Sequence, residues 1–441
     1  MDDQLPGAIL QSVLAKTDAS DCARAGCVSR RWSQLHHDDN LWRTFCLRDF
    51  AVSTKLDPLG FPCASFKETY KSWQTIFEDY PKPLVMRAKR CWDQIKDWLR
   101  INFVEVLDSL VPGASLDEIK AAEKELGFEL PAPVRLLYQL CNGQELPFDD
   151  EYDDENDAHY INHVGLLGGY YFYQHYVNVR LLPLDQLVEL TLVVRDSQPK
   201  QNGIVSRRVV IAASCHSLKV FFLDCDDGQV YVGTQNLQLN GEMMPCTPNV
   251  RGGADPKDGM LRWLERYNHC LQTGMYNVRV EKRIRSISLF PLTAPLCSEA
   301  ITKRIQIRTS AVFVPEESTT EERSDDRYFF TYSVSMRLLS PTTKTGESFL
   351  EKAQLLMRHW LIEPDGFPPT EVRGEAVIGV YPILRAGRDE FVYQSCTGLK
   401  SKTGTIEGDF TFVPGLMMKP TGASFTAYVA RFPLEVPEYI F

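Results

Sequence analysis

The chain has 441 residues, 44% of them hydrophobic and 24% charged, which fits a folded globular protein with room for two to four domains. Its formal net charge of −10 argues against binding nucleic acid or an anionic membrane through bulk electrostatics. No stretch approaches 18 apolar residues, and the N-terminus is acidic (Asp2, Asp3) without the basic start and apolar run of a signal peptide. The 12 cysteines are scattered and form no C-x-x-C, which removes the usual zinc-ribbon and redox signatures. Such cysteines read as reduced thiols in a cytoplasmic or nuclear protein, and neither a metal nor a cofactor is expected.

Residues 1–50 read as short helices with more large apolar side chains than so small a unit can bury. Leu5 and Pro6 stand at the start, and proline suits a first helical turn because its missing N–H has no intrahelical partner there. Ile9, Leu10, Val13 and Leu14 repeat at helical spacing, as do Val28, Trp32 and Leu35, and Leu41, Trp42 and Phe45 close the segment. Surplus leucine and tryptophan on a small unit point to a partner that covers them, or to a helical hairpin packed on the chain's own core.

The order Leu5-Pro6, Ile9-Leu10, Leu14, Val28-Ser-Arg-Arg-Trp32, Leu35 and Leu41-Trp-Arg43 resembles an F-box. That resemblance implies docking on the Skp adaptor of a cullin–RING ubiquitin ligase, through Leu5, Pro6, Ile9, Leu10, Leu14, Val28, Trp32, Leu41 and Trp42. The match thins at Lys16 and Thr17, where the family places an apolar residue, and at Cys22 and Ala23, where leucines are common. Smaller apolar groups bury less area at about 25 cal/mol per Å², which predicts a modest grip on the adaptor.

Residues 51–85 read as a linker punctuated by Pro58, Gly60, Pro62, Pro81 and Pro83, with a short helix over 66–77 carrying Tyr70, Trp73 and Phe77. Residues 86–272 read as α+β. Trp92, Ile95, Trp98 and Leu99 form a helical stripe, and Ser115-Leu-Asp-Glu118 is a capping box. The helix it opens stops at Gly127; Pro131 and Pro133 open another that ends at Asn142-Gly143. Strands follow at 170–173, 208–212, 220–223 and 230–232, the last two joined by Asp226-Asp-Gly228, and Trp263, Leu264 and Tyr267 supply a closing helix. The run LDEIKAAEKELGFELPAPVRLLYQLCNGQE resembles the SUKH (Smi/Knr-type) superfamily of protein-interaction modules over about 110–250. Seven of the nine residues 149–157 are acidic, which reads as a solvated loop or as a docking loop for a basic segment. His159 and His163 follow four apart, but without an H-E-x-x-H context they are not read as a metal site.

Residues 275–437 change period. From 328 to 338, Tyr328, Phe330, Tyr332, Val334, Met336 and Leu338 alternate with Phe329, Thr331, Ser333, Ser335 and Arg337, which predicts a strand with one buried face. Further runs at 301–314, 353–362, 372–381, 390–395, 405–413 and 424–434 predict a two-sheet β-sandwich. Arg327-Tyr-Phe-Phe-Thr-Tyr332, Leu355-Leu-Met-Arg-His-Trp-Leu-Ile362, Val372-Arg-Gly-Glu-Ala-Val-Ile-Gly379 and Arg431-Phe-Pro-Leu434 appear in order and resemble ApaG, which implies an all-β, fibronectin-III-like sandwich. ApaG proteins often carry G-x-G-x-x-G here and have been linked to phosphate-type ligands. In this chain Gly374 and Gly379 are kept but Ala376 replaces the middle glycine, putting a methyl where an anion would approach the backbone. Strand-like sequence on both sides is also the wrong context for a dinucleotide loop, so a β-bulge is the leading reading of these residues. Arg358-His-Trp360 invites an acid–base reading, but alternation in a strand makes Trp360 core and His359 a packed or hydrogen-bonded residue.

The order F-box, SUKH, ApaG is similar to the F-box-only-three type and to plant Skp-interacting F-box proteins. It implies a non-catalytic subunit that recruits a protein substrate, with Skp, cullin and RING subunits as partners. A Skp-binding scaffold without ubiquitylation, and a small-anion or nucleotide binder using the 374–379 loop, are the alternatives.

Overall fold

The structure, a computed structural model, describes residues 7–145, 164–173, 175–197, 207–214, 218–248, 257–281, 284–320, 327–340 and 350–440. Leu5 and Pro6, the acidic run 149–157, His159 and His163 lie outside the described residues.

Four short helices open the chain: α1 (Gly7–Leu14), α2 (Ala19–Ala25), α3 (Arg30–His36) and α4 (Asp39–Phe50). Ser29 caps α3 by accepting from the Trp32 N–H, and Asp38 caps α4 by accepting from the Asn40 N–H. Arg48 on α4 donates Nη1 to the carbonyls of Ala15 and Thr17, which ties the end of α1 to α4. The next helix, α5 (Phe66–Ile76), lays Tyr70 against Trp42, with ring centroids 5.5 Å apart. α6 (Lys82–Asn102) then runs for 21 residues into the middle domain.

This corrects the linker assigned to 51–85. Pro83 falls in the first turn of α6, where the lost N–H costs nothing, so these prolines begin a helix instead of breaking one. The boundary at 85/86 therefore falls inside α6. Arg87 of that helix donates Nε and Nη2 to the two carboxylate oxygens of Glu265, both at 2.6 Å, and also pairs with Asp258. Together with the buried Trp92, Ile95 and Leu99, this fixes α6 to the helix Gly259–Gln272.

The helices and strands expected in the middle domain form, and elements not expected join them, among them a strand over His175–Leu181, a helix over Leu184–Ser197 and a short strand over Met243–Pro245. The capping box is formed: the Glu118 N–H donates to Ser115 Oγ and the Ser115 N–H to Glu118 Oε2 at 2.7 Å. α7 (Val104–Asp108) follows α6, α8 (Leu116–Leu126) ends at Gly127, and α9 (Ala132–Leu140) leads to Asn142-Gly143. A Cβ at Gly143 would stand 2.6 Å from the Leu182 carbonyl, and its φ is +76°, so both space and backbone call for glycine. Six strands, β1 (Gly169–Phe172), β2 (His175–Leu181), β3 (Arg208–Ser214), β4 (Val220–Asp224), β5 (Val230–Gly233) and β6 (Met243–Pro245), form an antiparallel run, with the 226–228 hairpin between β4 and β5.

Two more strands complete that sheet. β7 (Asn277–Glu281) and β8 (Ile284–Ser288) lie within the 275–437 range assigned to the C-terminal domain, but the order is β6-β5-β4-β3-β2-β1-β8-β7, with β8 parallel to β1. The last domain therefore begins after Ser288. It is a sandwich of two sheets, β15-β11-β10-β9 and β13-β12-β16, with β18 paired to β16 and β14 to β12. Its strands are β9 (Cys297–Thr302), β10 (Ile305–Phe313), β11 (Tyr328–Leu338), β12 (Lys352–Pro364), β13 (Thr370–Glu375), β14 (Ile383–Arg385), β15 (Phe391–Leu399), β16 (Thr403–Leu416), β17 (Lys419–Pro420) and β18 (Phe425–Glu435).

β11 departs from expectation in one respect: both its faces are buried. Tyr328, Phe330, Val334 and Met336 fill the sandwich, while Thr331, Ser333 and Ser335 are closed off by the middle domain. Thr331 Oγ1 donates to the Tyr171 carbonyl at 2.7 Å, the Tyr171 N–H donates to Gln394 Oε1 at 2.6 Å, and Arg279 donates to Ser333 Oγ. Beside this seam lies a buried relay. Lys219 Nζ donates to the Tyr170 hydroxyl at 3.0 Å, and that hydroxyl donates to Glu316 Oε1 at 2.6 Å. Lys219 is 1% exposed, and burial pushes its ammonium below the usual lysine range while Glu316 partly restores it.

Removing one end of a buried charge relay strands the other, whereas removing both need not cost stability. Glu316→Leu alone is expected to lower stability by about 3 kcal/mol, and adding Lys219→Met is expected to recover most of it. Chemical denaturation of the two variants and wild type measures this; equal stability of Glu316→Leu and wild type would show that the relay carries no load.

Candidate functional site

Of the nine residues proposed for docking, Leu5 and Pro6 lie outside the described residues, and the other seven differ in exposure. Leu10, Leu14, Leu41 and Trp42 are buried, each no more than 3% exposed, and the last three belong to the core that runs on through α5 into the middle domain. Trp42 also donates Nε1 to the His36 carbonyl at 2.7 Å. These four shape the helical unit from within and offer no free surface, which corrects their assignment as contact residues. Trp32 is half-buried against the same core. Outward-facing are Ile9, Val13 and Val28, at 47%, 49% and 71% exposed. Ile9 and Val13 are one helical turn apart on α1, and Val28 sits in the turn before α3. Val13 was visible only as part of the periodic repeat. Leu47 on α4, also exposed, carried no signal apart from hydrophobicity.

The thinning expected at Cys22 takes a different form. Cys22 is fully buried, so its small volume is matched by packing inside the unit, while Ala23, Lys16 and the half-exposed Thr17 face outward. Burial raises the Cys22 thiol above its ordinary range, with Lys67 opposing.

A polar knot holds this unit to the rest of the chain. Asp49, on α4, accepts from the Tyr70 hydroxyl at 2.7 Å, from Lys82 Nζ at 3.0 Å and from Arg48 Nε at 2.6 Å. Burial acts to raise its carboxyl, but the hydrogen bonds from Arg48, Tyr70 and Lys82 outweigh it and hold Asp49 below the usual carboxylate range. The same burial and the bond to Asp49 push the Tyr70 phenol well up.

The glycine loop is a tight turn between strands. Gly374 lies in β13 opposite Arg358 of β12. Ala376 has taken the left-handed conformation, φ +61°, that a glycine would adopt without strain, and Gly379 has φ +75°. The Ala376 N–H donates to the Leu356 carbonyl, and Val377 and Val380 exchange N–H to carbonyl bonds at 3.0 and 2.8 Å. Those three N–H groups are spent within the fold and cannot cradle a phosphate, and the chain continues to strand β14 with no helix N-terminus behind the loop. On the outer face, His359 Nδ1 lies 3.0 Å from Asp409 Oδ2, and its Nε2 lies 2.9 Å from Glu371 Oε1 but out of line for a hydrogen bond. Trp360 is buried in the sandwich. Among the described residues no cluster of three or more metal-ligating side chains occurs, and no helix is long and apolar enough to cross a membrane.

With three domains and an outward apolar helical face in place, comparison with known proteins defines the class. The F-box-like family matches residues 2–48, the SMI1/KNR4 family (SUKH-1) 113–249 and the ApaG domain 318–414. The chain belongs to the family of F-box proteins that join an F-box to SUKH and ApaG domains. Over 98% of its length it is 41% identical to F-box protein SKIP16 of Arabidopsis thaliana, covering 98% of that protein. It is 26% identical to human F-box only protein 3 over 93% of this chain and 78% of the relative, and 37% identical to protein ApaG of a Methylobacterium strain over 32% of this chain and 93% of the relative.

The Asp49 knot gives a pH-dependent prediction. A carboxyl held below its unfolded value stabilises the fold above about pH 4 and loses that contribution as pH falls through its folded value. Asp49→Asn is therefore expected to lose about 2 kcal/mol near neutral pH, with the gap to wild type narrowing as pH drops below about 4. Denaturation midpoints across pH check this; a gap constant with pH would remove the charge from the account.

Proposed function

We propose that the chain is the substrate-recruiting subunit of a Skp–cullin–F-box ubiquitin ligase, docking on Skp through Ile9, Val13 and Val28, together with Leu5 and Pro6, and presenting substrate on the SUKH and ApaG domains. The observation that carries this reading is the division at the N-terminus. Leu10, Leu14, Leu41 and Trp42 are consumed by the chain's own core, yet Ile9, Val13 and Val28 remain exposed on a unit that matches the F-box-like family. Exposed apolar side chains of this size gain about 1.5–3 kcal/mol each on full burial, enough for three to contribute substantially to binding. The ligase chemistry would belong to the assembled complex. This chain would supply geometry, raising the effective concentration of substrate lysines near a charged conjugating enzyme.

The nucleotide-binding alternative loses support from the glycine loop, whose Ala376, Val377 and Val380 N–H groups are already bonded. The scaffold alternative differs only in whether cullin accompanies Skp.

Tagged full-length chain is expected to co-purify Skp and cullin. Ile9→Glu with Val28→Glu is expected to reduce Skp affinity at least about tenfold with little change in melting temperature, because both side chains are exposed. Leu5→Ala with Pro6→Ala is expected to act in the same direction. Undiminished Skp recovery by both double variants would sink the docking assignment, and Skp without cullin would favour the scaffold.

A further inference from the structure

The sandwich is closed on one side and open on the other. On the closed side Ser298 Oγ of β9 donates to the Ala430 carbonyl of β18 at 2.8 Å. On the other side the two sheets end in β13 and β15. Between them Tyr332 of β11 packs on Trp360 of β12, with ring centroids 5.9 Å apart.

That open edge holds donors without acceptors. Tyr393 of β15 is 3% exposed, and its hydroxyl has no hydrogen-bond partner; Trp360 is equally buried, and its Nε1 has none. The Arg358 guanidinium lies against the β13 backbone at Gly374, about 3.6 Å from where a Cβ would stand, and donates Nη1 to the Ala376 carbonyl. Arg373 and Arg431 on the same sheet each meet a glutamate, whereas Arg358 makes no ion pair among the described residues. Arg358 and Trp360 are two residues apart on β12 and share its inner face, where Trp360 packs on Tyr332; burial pushes the Tyr332 and Tyr393 phenols up, and the Arg358 charge pulls both partly back. A buried hydroxyl left unpaired costs about 1–3 kcal/mol, a penalty that a bound acceptor would relieve. The loop that follows β13, whose Ala376 carbonyl Arg358 meets, carries the exposed apolar side chains of Ile378 and Val380.

We infer that this edge takes an acidic side chain of a partner protein, its carboxylate on Arg358, Tyr393 and Trp360 and its apolar neighbours on Ile378 and Val380. The inference deepens the proposed function by naming the substrate class: a segment with a glutamate or aspartate flanked by apolar residues. One guanidinium and two neutral donors match a monoanion, and the planar guanidinium suits a carboxylate. A phosphoryl group carries about −1.5 to −2 charge and would leave charge uncompensated in a half-buried slot.

The test uses the purified full-length chain without Skp, so that its failure is separate from any failure of adaptor docking. The probes are acetylated pentapeptide amides with a central glutamate flanked by leucine, valine or phenylalanine, titrated by thermophoresis. Saturable binding is expected for at least one of them. Exchanging its glutamate for glutamine, or using Arg358→Gln, is expected to weaken binding about tenfold or more. Tyr393→Phe, which removes one buried hydroxyl and keeps the ring, is expected to weaken binding a few-fold without lowering the melting temperature. No binding by any glutamate peptide, equal binding of glutamate and glutamine peptides, or tighter binding of a phosphoserine peptide or inorganic pyrophosphate would overturn the inference.

Discussion

The buried polar face of β11 is the constraint on which the architecture depends. Thr331, Ser333 and Ser335 are small enough for the middle domain to close over them, and polar enough to need partners once it does. Tyr171 and Arg279 supply partners to Thr331 and Ser333, and Gln394 ties the neighbouring strand to the same Tyr171. The Lys219–Tyr170–Glu316 relay lies beside this seam with one end in each domain. A second polar contact adds to it, where Asn236 donates to Thr319 and the Thr320 N–H donates to Glu242. The C-terminus also returns to the middle sheet, the Ile440 N–H donating to the Pro245 carbonyl.

A joint of this kind suits the proposed role. A subunit that holds a substrate while another protein reacts with it works by fixing distance, and a loose hinge between domains would give that distance away. The N-terminal end is fixed in the same manner, through α5, the Asp49 knot and the Arg87 pair with Glu265. Polar contacts provide the specificity of these joints, and the continuous apolar core beneath them provides most of the cohesion. The exposed residues of α1 and the edge of the sandwich are thus carried on parts of the chain joined by one continuous core.

Much of this was legible in the sequence wherever a local signal was complete. The capping box, the Gly127 stop, the 226–228 hairpin and the period of 328–338 are each written within about a dozen residues. What stayed hidden depends on partners distant in sequence. Periodicity marked Leu10, Leu41 and Trp42 as apolar, but cannot distinguish a residue buried by its own chain from one awaiting a partner. The strands β7 and β8 were not read from sequence, and nothing in 277–288 records which sheet they join. The serines and threonines of β11 looked like a solvent face because a polar interface and water select similar residues. Lys219 and Glu316 belong to no motif and meet only in the fold. At the glycine loop the replacement at Ala376 was legible as a methyl on the backbone, while the unpaired donors around Arg358 became visible only with both sheets in place.

The central claim, that the middle and C-terminal domains form one cooperative body, is tested most directly by native-state hydrogen exchange. Amides of Val210 and Ile211 in β3 and of Val334 and Met336 in β11 sit deep in the two domains. The account expects them to exchange with the same opening free energy and the same denaturant dependence, because opening either domain uncovers the polar seam of the other. Exchange of β11 at a markedly lower opening free energy, with β3 still protected, would contradict it.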